Sequence, residues 1–207
     1  MKMSFAQLDY QLFQMVNGLG RTMDVLNPVM RMFASYAEYV FYIGIVIYWF
    51  TRHRIQRQMV VQSLVSACVA FACSGIIGHF FYRDRPFVTH AVLQLIEHPA
   101  NASFPSDHAT GAFVIAASIW SFRRKEGLVW LVLAACIAFS RVWTGVHYPS
   151  DVLAGAVLGI AAAAVVHQLL TSVPKVQNML FQVIHWYEVV ENKVWKKKLV
   201  SEYSTKL

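Results

Sequence analysis

Three blocks of this chain, residues 39–50, 59–81 and 152–166, are almost unbroken hydrocarbon. A helix needs ~20 mostly apolar residues to cross a bilayer, and its backbone groups must be paired internally there. Blocks of this kind restrict the chain to an all-α, polytopic membrane bundle. The composition agrees: 207 residues are 57% hydrophobic and 14% charged, where a soluble domain carries about 25% charged residues.

The remaining punctuation divides the chain. Residues 4–19 place Phe5, Leu8, Leu12, Met15, Val16 and Leu19 at helical spacing. That stretch is amphipathic and too polar to span, so it is expected as a helix in the interface. Asn27-Pro28 breaks the chain. Five spans are then expected, over about 32–50, 59–82, 109–122, 127–141 and 150–170. Residues 1–173 form the membrane domain in this reading. The tail, 174–207, is amphipathic and basic, with Trp186, Tyr187, Trp195 and the lysine run 196–198. Such a tail suits an anionic leaflet. Cys68, Cys73 and Cys136 lie inside apolar blocks and are expected as buried structural thiols. Gly155 and Gly159 form a G-x-x-x-G, a signal for close helix packing. No apolar run precedes Gly18, so no cleavable signal peptide is expected.

The net charge of +7 does not indicate a nucleic-acid partner, because the basic residues fall in short turns and the tail. The turn 52–57, the turn 123–125 and the tail hold 12 of the 18 Lys and Arg residues. The positive-inside rule puts all three in the cytoplasm. Five spans then place the N-terminus and the loops 83–108 and 140–151 outside. Arg83, Arg85 and Arg141 sit against that bias, which marks them for a specific role.

The outer segments are YRDRPF (82–87), FPSDH (104–108) and SRVWTGVHYPSD (140–151). Pro105-Ser106 and Pro149-Ser150 read as helix starts with serine at the N-cap. A helix N-terminus offers free N–H groups and partial positive charge, including the backbone at Asp107. Two such ends beside arginines make an anion site, and the arginine fork matches phosphate. Asp151, four residues after His147, could accept a hydrogen bond from one imidazole nitrogen and leave the other as an oriented lone pair. His108 supplies a second imidazole to protonate a leaving oxygen. The chemistry implied is phosphoryl transfer to water, with a phosphohistidine as one route. Two other readings stay open: a lipid-phosphate binder or transporter with no catalysis, and a metal site built on His108, His147 and Asp151. Glu38 reads as a structural charge paired with Arg31. His79 and His167 read as packing residues. His53, His90, His98 and His185 receive no role.

The three segments resemble the signature of the type-2 phosphatidic acid phosphatase superfamily: K-x6-R-P, P-S-G-H and S-R-x5-H-x3-D. Ser140, Arg141, His147 and Asp151 match every defined position of the third block. Pro105, Ser106 and His108 match the second, with Asp107 in place of glycine; Arg85 and Pro86 match the first. The resemblance implies His147 as nucleophile, Asp151 as its orienting carboxylate and His108 as acid and then base. It implies Arg85, Ser106 and Arg141 as phosphate ligands, with no metal or other cofactor. The family lysine would fall at Gly78 and is absent, so Arg83 is expected to supply the lost charge. The P-S-D-H and R-D-R-P-F variants look like the bacitracin-resistance-type undecaprenyl-pyrophosphate phosphatases of bacterial cell membranes. That resemblance implies a lipid pyrophosphate substrate and an outward-facing site. Phosphatidic acid or phosphatidylglycerophosphate is the alternative substrate.

Overall fold

The computed structural model describes residues 4–204, with side chains described through residue 194. Trp195 and the lysine run 196–198 lie outside the described side chains. Helix α1 (Phe5–Thr22) is followed by a 3-10 turn (Asp24–Leu26), α2 (Asn27–Ser35), α3 (Ala37–Phe50) and α4 (Arg54–Phe80). After the short α5 (Pro86–Thr89) come α6 (Asp107–Phe122), α7 (Arg124–Trp143), α8 (Pro149–Ser172) and α9 (Pro174–Ser204). No strand occurs among the described residues.

The helices α4, α7 and α8 are each long and apolar enough to span a membrane. The first span, expected over 32–50, is instead two helices broken at Tyr36. The segments Asp24–Ser35 and Ala37–Phe50 pass the same test only as a pair bent by 44°. Helix α6 has 16 residues and is ~24 Å long, short of the ~30 Å hydrocarbon layer. By length and composition alone, three of the described helices can span, or four with the bent pair, and α6 falls short of that length. Helix α6 is short because it is the bundle's centre. It packs against α4, α7 and α8 and buries residues on every side, from Ala109 and Thr110 to Ser118 and Ile119.

The α6–α8 contact sets the site. A Cβ on Gly155 would lie 2.5 Å from the Ser106 carbonyl oxygen, and one on Gly159 would lie 2.6 Å from that of Thr110. Only hydrogen at these positions lets the two backbones approach so closely. The N-terminal ends of α6 and α8 are thereby brought together, and the Ser106 N–H donates to the Asp151 carbonyl at 3.0 Å.

Helix α1 differs from its expectation. Phe5, Leu8, Leu12, Met15 and Leu19 are exposed, as a lipid-facing stripe would be, but the opposite face is docked on the bundle. Asp9, Phe13 and Asn17 are buried there. The Asn17 amide donates to the carbonyls of Leu93 and Trp143 at 2.8 and 2.9 Å. Those bonds satisfy a polar group that would be costly to bury alone. Among the cysteines, Cys68 is exposed and the other two are half-buried, so the expectation of buried thiols fails for Cys68. It lies on an outer face of α4, where apolar surroundings would be lipid.

At the far end from the site, α9 packs back on the bundle. The buried Arg57 meets Glu191 at 2.7 Å and Glu188 at 3.3 Å. Its guanidinium also lies near the Trp49 and Tyr187 rings.

Candidate active site

The C-terminal ends of α4 and α7 and the N-terminal ends of α6 and α8 meet at one end of the bundle. His147 sits in the tight turn between α7 and α8. Gly145 makes that turn possible with φ +83°, and a Cβ there would lie 2.6 Å from the Leu93 carbonyl oxygen. The N–H groups of Val146 and His147 donate back to the Arg141 carbonyl.

The His147 ring is buried and held at both nitrogens. Nδ1 lies 2.9 Å from the Ser103 carbonyl oxygen and donates to it, which leaves a lone pair on Nε2. Arg85 Nη1 donates to that Nε2 at 3.0 Å. Asp151 does not accept directly from the imidazole, contrary to expectation: its Oδ2 is 3.6 Å from Nδ1, beyond hydrogen-bond range. The spacing misleads because His147 precedes the helix, so the two residues share no helix face. Ser103 bridges them instead, with Oγ donating to Asp151 Oδ2 at 2.5 Å. Burial holds the His147 pKa well below its ordinary value, and the nearby Arg141, Arg85 and His98 act in the same direction. The hydrogen bond to Ser103 opposes the shift only in part. The ring is therefore neutral, and its Nε2 lone pair accepts from Arg85.

Arg83 is not placed as expected. Its Nη2 meets Asp9 Oδ2 at 2.7 Å, and its Nη1 meets Asp151 Oδ1 at 3.0 Å and Ser150 Oγ at 2.7 Å. It also stacks 3.6 Å above the Tyr148 ring. Two carboxylates consume its donors, so it braces Asp151 rather than replacing a phosphate-binding lysine. At Gly78 itself, a Cβ would stand 3.1 Å from the Phe104 carbonyl oxygen. Glycine there fits the close approach of α4 to the loop.

Serine is the N-cap of α6 at Ser106, but it makes no side-chain cap bond. Tyr148, rather than Ser150, precedes α8, and Asp151 Oδ2 accepts its N–H at 2.8 Å. Arg85 is buried and reaches Asn101, Ala102 and Val146 as well as His147. Arg141 is 2% exposed. One of its nitrogens donates to the Ala34 carbonyl at 2.8 Å. Its Nε and Nη2, and Ser106 Oγ, are buried with no hydrogen-bond partner among the described residues. Buried donors of this kind are costly unless something completes them.

His108, in the first turn of α6, lines a cavity of about 170 Å³ with Glu38, Phe41, Phe71 and Asp107. Its Nε2 lies 3.4 Å from Glu38 Oε2, so Glu38 faces the site rather than serving as a purely structural charge. Asp107 accepts a hydrogen bond from Ser74 at 2.7 Å. His98 stands between the two other imidazoles, 6.5 Å from the His108 ring and 6.1 Å from that of His147. Reading the sequence missed Asp9, Glu38, His98 and Ser103. Only Asp9 and Glu38 carried a signal, each as the lone charge of its helical stretch.

Comparison with known proteins agrees with this arrangement. The PAP2 superfamily model matches residues 59–174. Over 205 residues the chain is 39% identical to the bacitracin transport permease protein BcrC of Bacillus licheniformis, covering 99% of both. It is 30% identical over 190 residues to the undecaprenyl-diphosphatase BcrC of Bacillus subtilis (strain 168), covering 92% of this chain and 97% of that one. The fold resembles the crystal structure of Aquifex aeolicus LpxE, with TM-score 0.64 and 23% identity over 80% of this chain and 98% of that one. The matched region runs from α4 through α8 and contains each of the motif residues gathered around His147, and on that ground the chain belongs to the PAP2 superfamily.

Proposed function

We propose that this membrane protein is a phosphatase that hydrolyses undecaprenyl pyrophosphate to undecaprenyl phosphate and inorganic phosphate. The observation that carries the reading is the state of His147. Its Nδ1 proton is committed to Ser103, and its Nε2 lone pair faces a guanidinium. Nε2 attacks the terminal phosphorus, the bond to the bridging oxygen breaks, and His108 delivers a proton to that oxygen. Water then attacks the phosphohistidine, His108 takes its proton, and the N–P bond breaks. Arg85, Arg141, Ser106 and the N–H at Asp107 hold the phosphoryl oxygens, and the unpartnered donors of Arg141 and Ser106 support that role. Asp151 acts on His147 through Ser103.

The substrate is inferred from the two BcrC relatives, one of which is named an undecaprenyl-diphosphatase. The permease name of the other favours a transport reading, but binding or transport needs no oriented imidazole. The donor set also favours an anion over a metal, since the cationic Arg85 lies 3.0 Å from His147 Nε2 and Asp151 is committed to Arg83, Ser103 and Tyr148. The basic turns 52–57 and 123–125 lie at the ends of helices opposite the site. This supports an outward-facing site in a bacterial cell membrane, with the tail from Pro174 in the cytoplasm.

Phosphate release from purified protein in detergent tests the proposal, using undecaprenyl pyrophosphate, phosphatidic acid and phosphatidylglycerophosphate with and without chelator. Preference for the pyrophosphate, unaffected by chelator, is expected. A strong preference for a glycerol lipid would displace the substrate assignment.

A further inference from the structure

Resting on the phosphatase reading, we infer that Glu38 is the positioning residue for His108, holding the imidazole beside the leaving oxygen and stabilising its protonated form. Glu38 is in the first turn of α3, immediately after the break at Tyr36. Its Oε2 is 3.4 Å from His108 Nε2, and the two side chains are about equally exposed, at 28% and 27%. Both line the same cavity, whose other walls include Phe41, Phe71 and Ile115.

The surrounding charges give that contact its significance. Burial of the ring is the first thing that disfavours a proton on His108; Arg141 from α7, the imidazoles of His147 and His98, and Arg85 from the loop after α4 also lie within electrostatic range of it. Each disfavours a proton on His108 when it carries positive charge itself. Asp107 is adjacent on the same helix, and its carboxylate accepts from Ser74. Glu38 is the carboxylate that meets the His108 ring from another element. An acid that must donate a proton beside two guanidiniums needs such a partner.

The same unit also aims Arg141. Its Nη1 is bonded to the carbonyl of Ala34, four residues before Glu38 and just before the break. The bent α2–α3 pair therefore carries a contact to a phosphate-binding side chain and a contact to the acid.

The chemistry supplies a readout that misfolding cannot mimic. A lipid pyrophosphate expels a phosphate, whose second pKa is about 6 when it is an ester. A lipid monoester expels an alkoxide, a much stronger base. Weakening the acid should therefore harm the monoester more. Phosphate release by purified wild type, Glu38→Gln and His147→Ala is measured across pH on undecaprenyl pyrophosphate and on phosphatidic acid. For Glu38→Gln, kcat on phosphatidic acid should fall ~10-fold or more, part of the 10²–10⁴ that a general acid contributes. On the pyrophosphate it should fall about 3-fold or less, with the alkaline limb moved to lower pH. Partial unfolding lowers both rates by one factor and leaves their ratio unchanged. An unchanged ratio and unmoved pH limb, with active wild type and inactive His147→Ala, would overturn the role of Glu38 alone. Inactive wild type, or active His147→Ala, would overturn the phosphatase mechanism and this inference with it.

Discussion

Two buried arginines, Arg57 and Arg141, lie toward opposite ends of the bundle, 1% and 2% exposed. Arg57 is neutralised by the protein: two glutamates of α9 reach it and two aromatic rings flank it, and only its Nε lacks a partner among the described residues. Arg141 has one backbone carbonyl and no acidic partner, and two of its donors have no hydrogen-bond partner among the described residues. An isolated buried cation costs several kcal/mol. The end carrying Arg57 is thus built to hold α9 in place, whereas the end carrying Arg141 is built to be completed by an anion.

The largest test of this contrast is His147→Ala. It should lower phosphate release by at least ~10³-fold, leaving what the charged site alone contributes. Retained activity would reduce the site end to another structural charge cluster. Arg141→Met comes next. It should cost about 10²–10³-fold in kcat, the scale for one lost oxyanion donor, while thermal stability in detergent holds or rises by about 1 kcal/mol. A clear loss of stability would show that Arg141 serves the fold, as Arg57 does.

How much of this was legible depended on whether a relation was local. The apolar blocks and the close-packing signal at Gly155 and Gly159 follow from sequence because each depends on neighbouring residues, and the three segments were expected to converge because each ends a span. The break at Tyr36 had no proline or glycine to mark it. The short α6 was readable only in outline, since a central helix need not match the bilayer. Within the site, His147, His108, Arg85 and Arg141 were found by residue type and spacing. The link from Asp151 to His147 through Ser103 was not, because Ser103 lies 44 residues before His147. Arg83 was misplaced for the same reason: Asp9, its second carboxylate, lies far away in sequence on α1.

Gly155→Ala probes what joins the site to its scaffold. The added Cβ would begin 2.5 Å from the Ser106 carbonyl oxygen. It should cost about 1–3 kcal/mol of stability by overpacking and lower activity by moving Ser106 off the site. Arg57→Met is the counterpart at the other end. It should cost about 1–2 kcal/mol, because Glu188 and Glu191 lose their cation while partly exposed. Activity should stay within about 3-fold. If Arg57→Met lowered kcat as far as Arg141→Met, the two ends would be coupled and the contrast would fail.

The smallest effect is a pH slope. His147 is neutral when folded because its pKa is held well below its ordinary value. In the unfolded chain it titrates near ~6.5. Between that value and the folded pKa, the unfolded state binds the extra proton, so acid favours unfolding. Stability from this group is complete above about pH 6.5 and falls as pH drops below it, approaching about 1.4 kcal/mol per pH unit. Other histidines add to the total slope, so the comparison is between wild type and His147→Gln by thermal unfolding from pH 7 to 5. The variant should show a shallower dependence, whatever its absolute stability. Identical slopes would mean that His147 titrates in the folded protein as it does in the unfolded chain, and that burial does not hold it neutral.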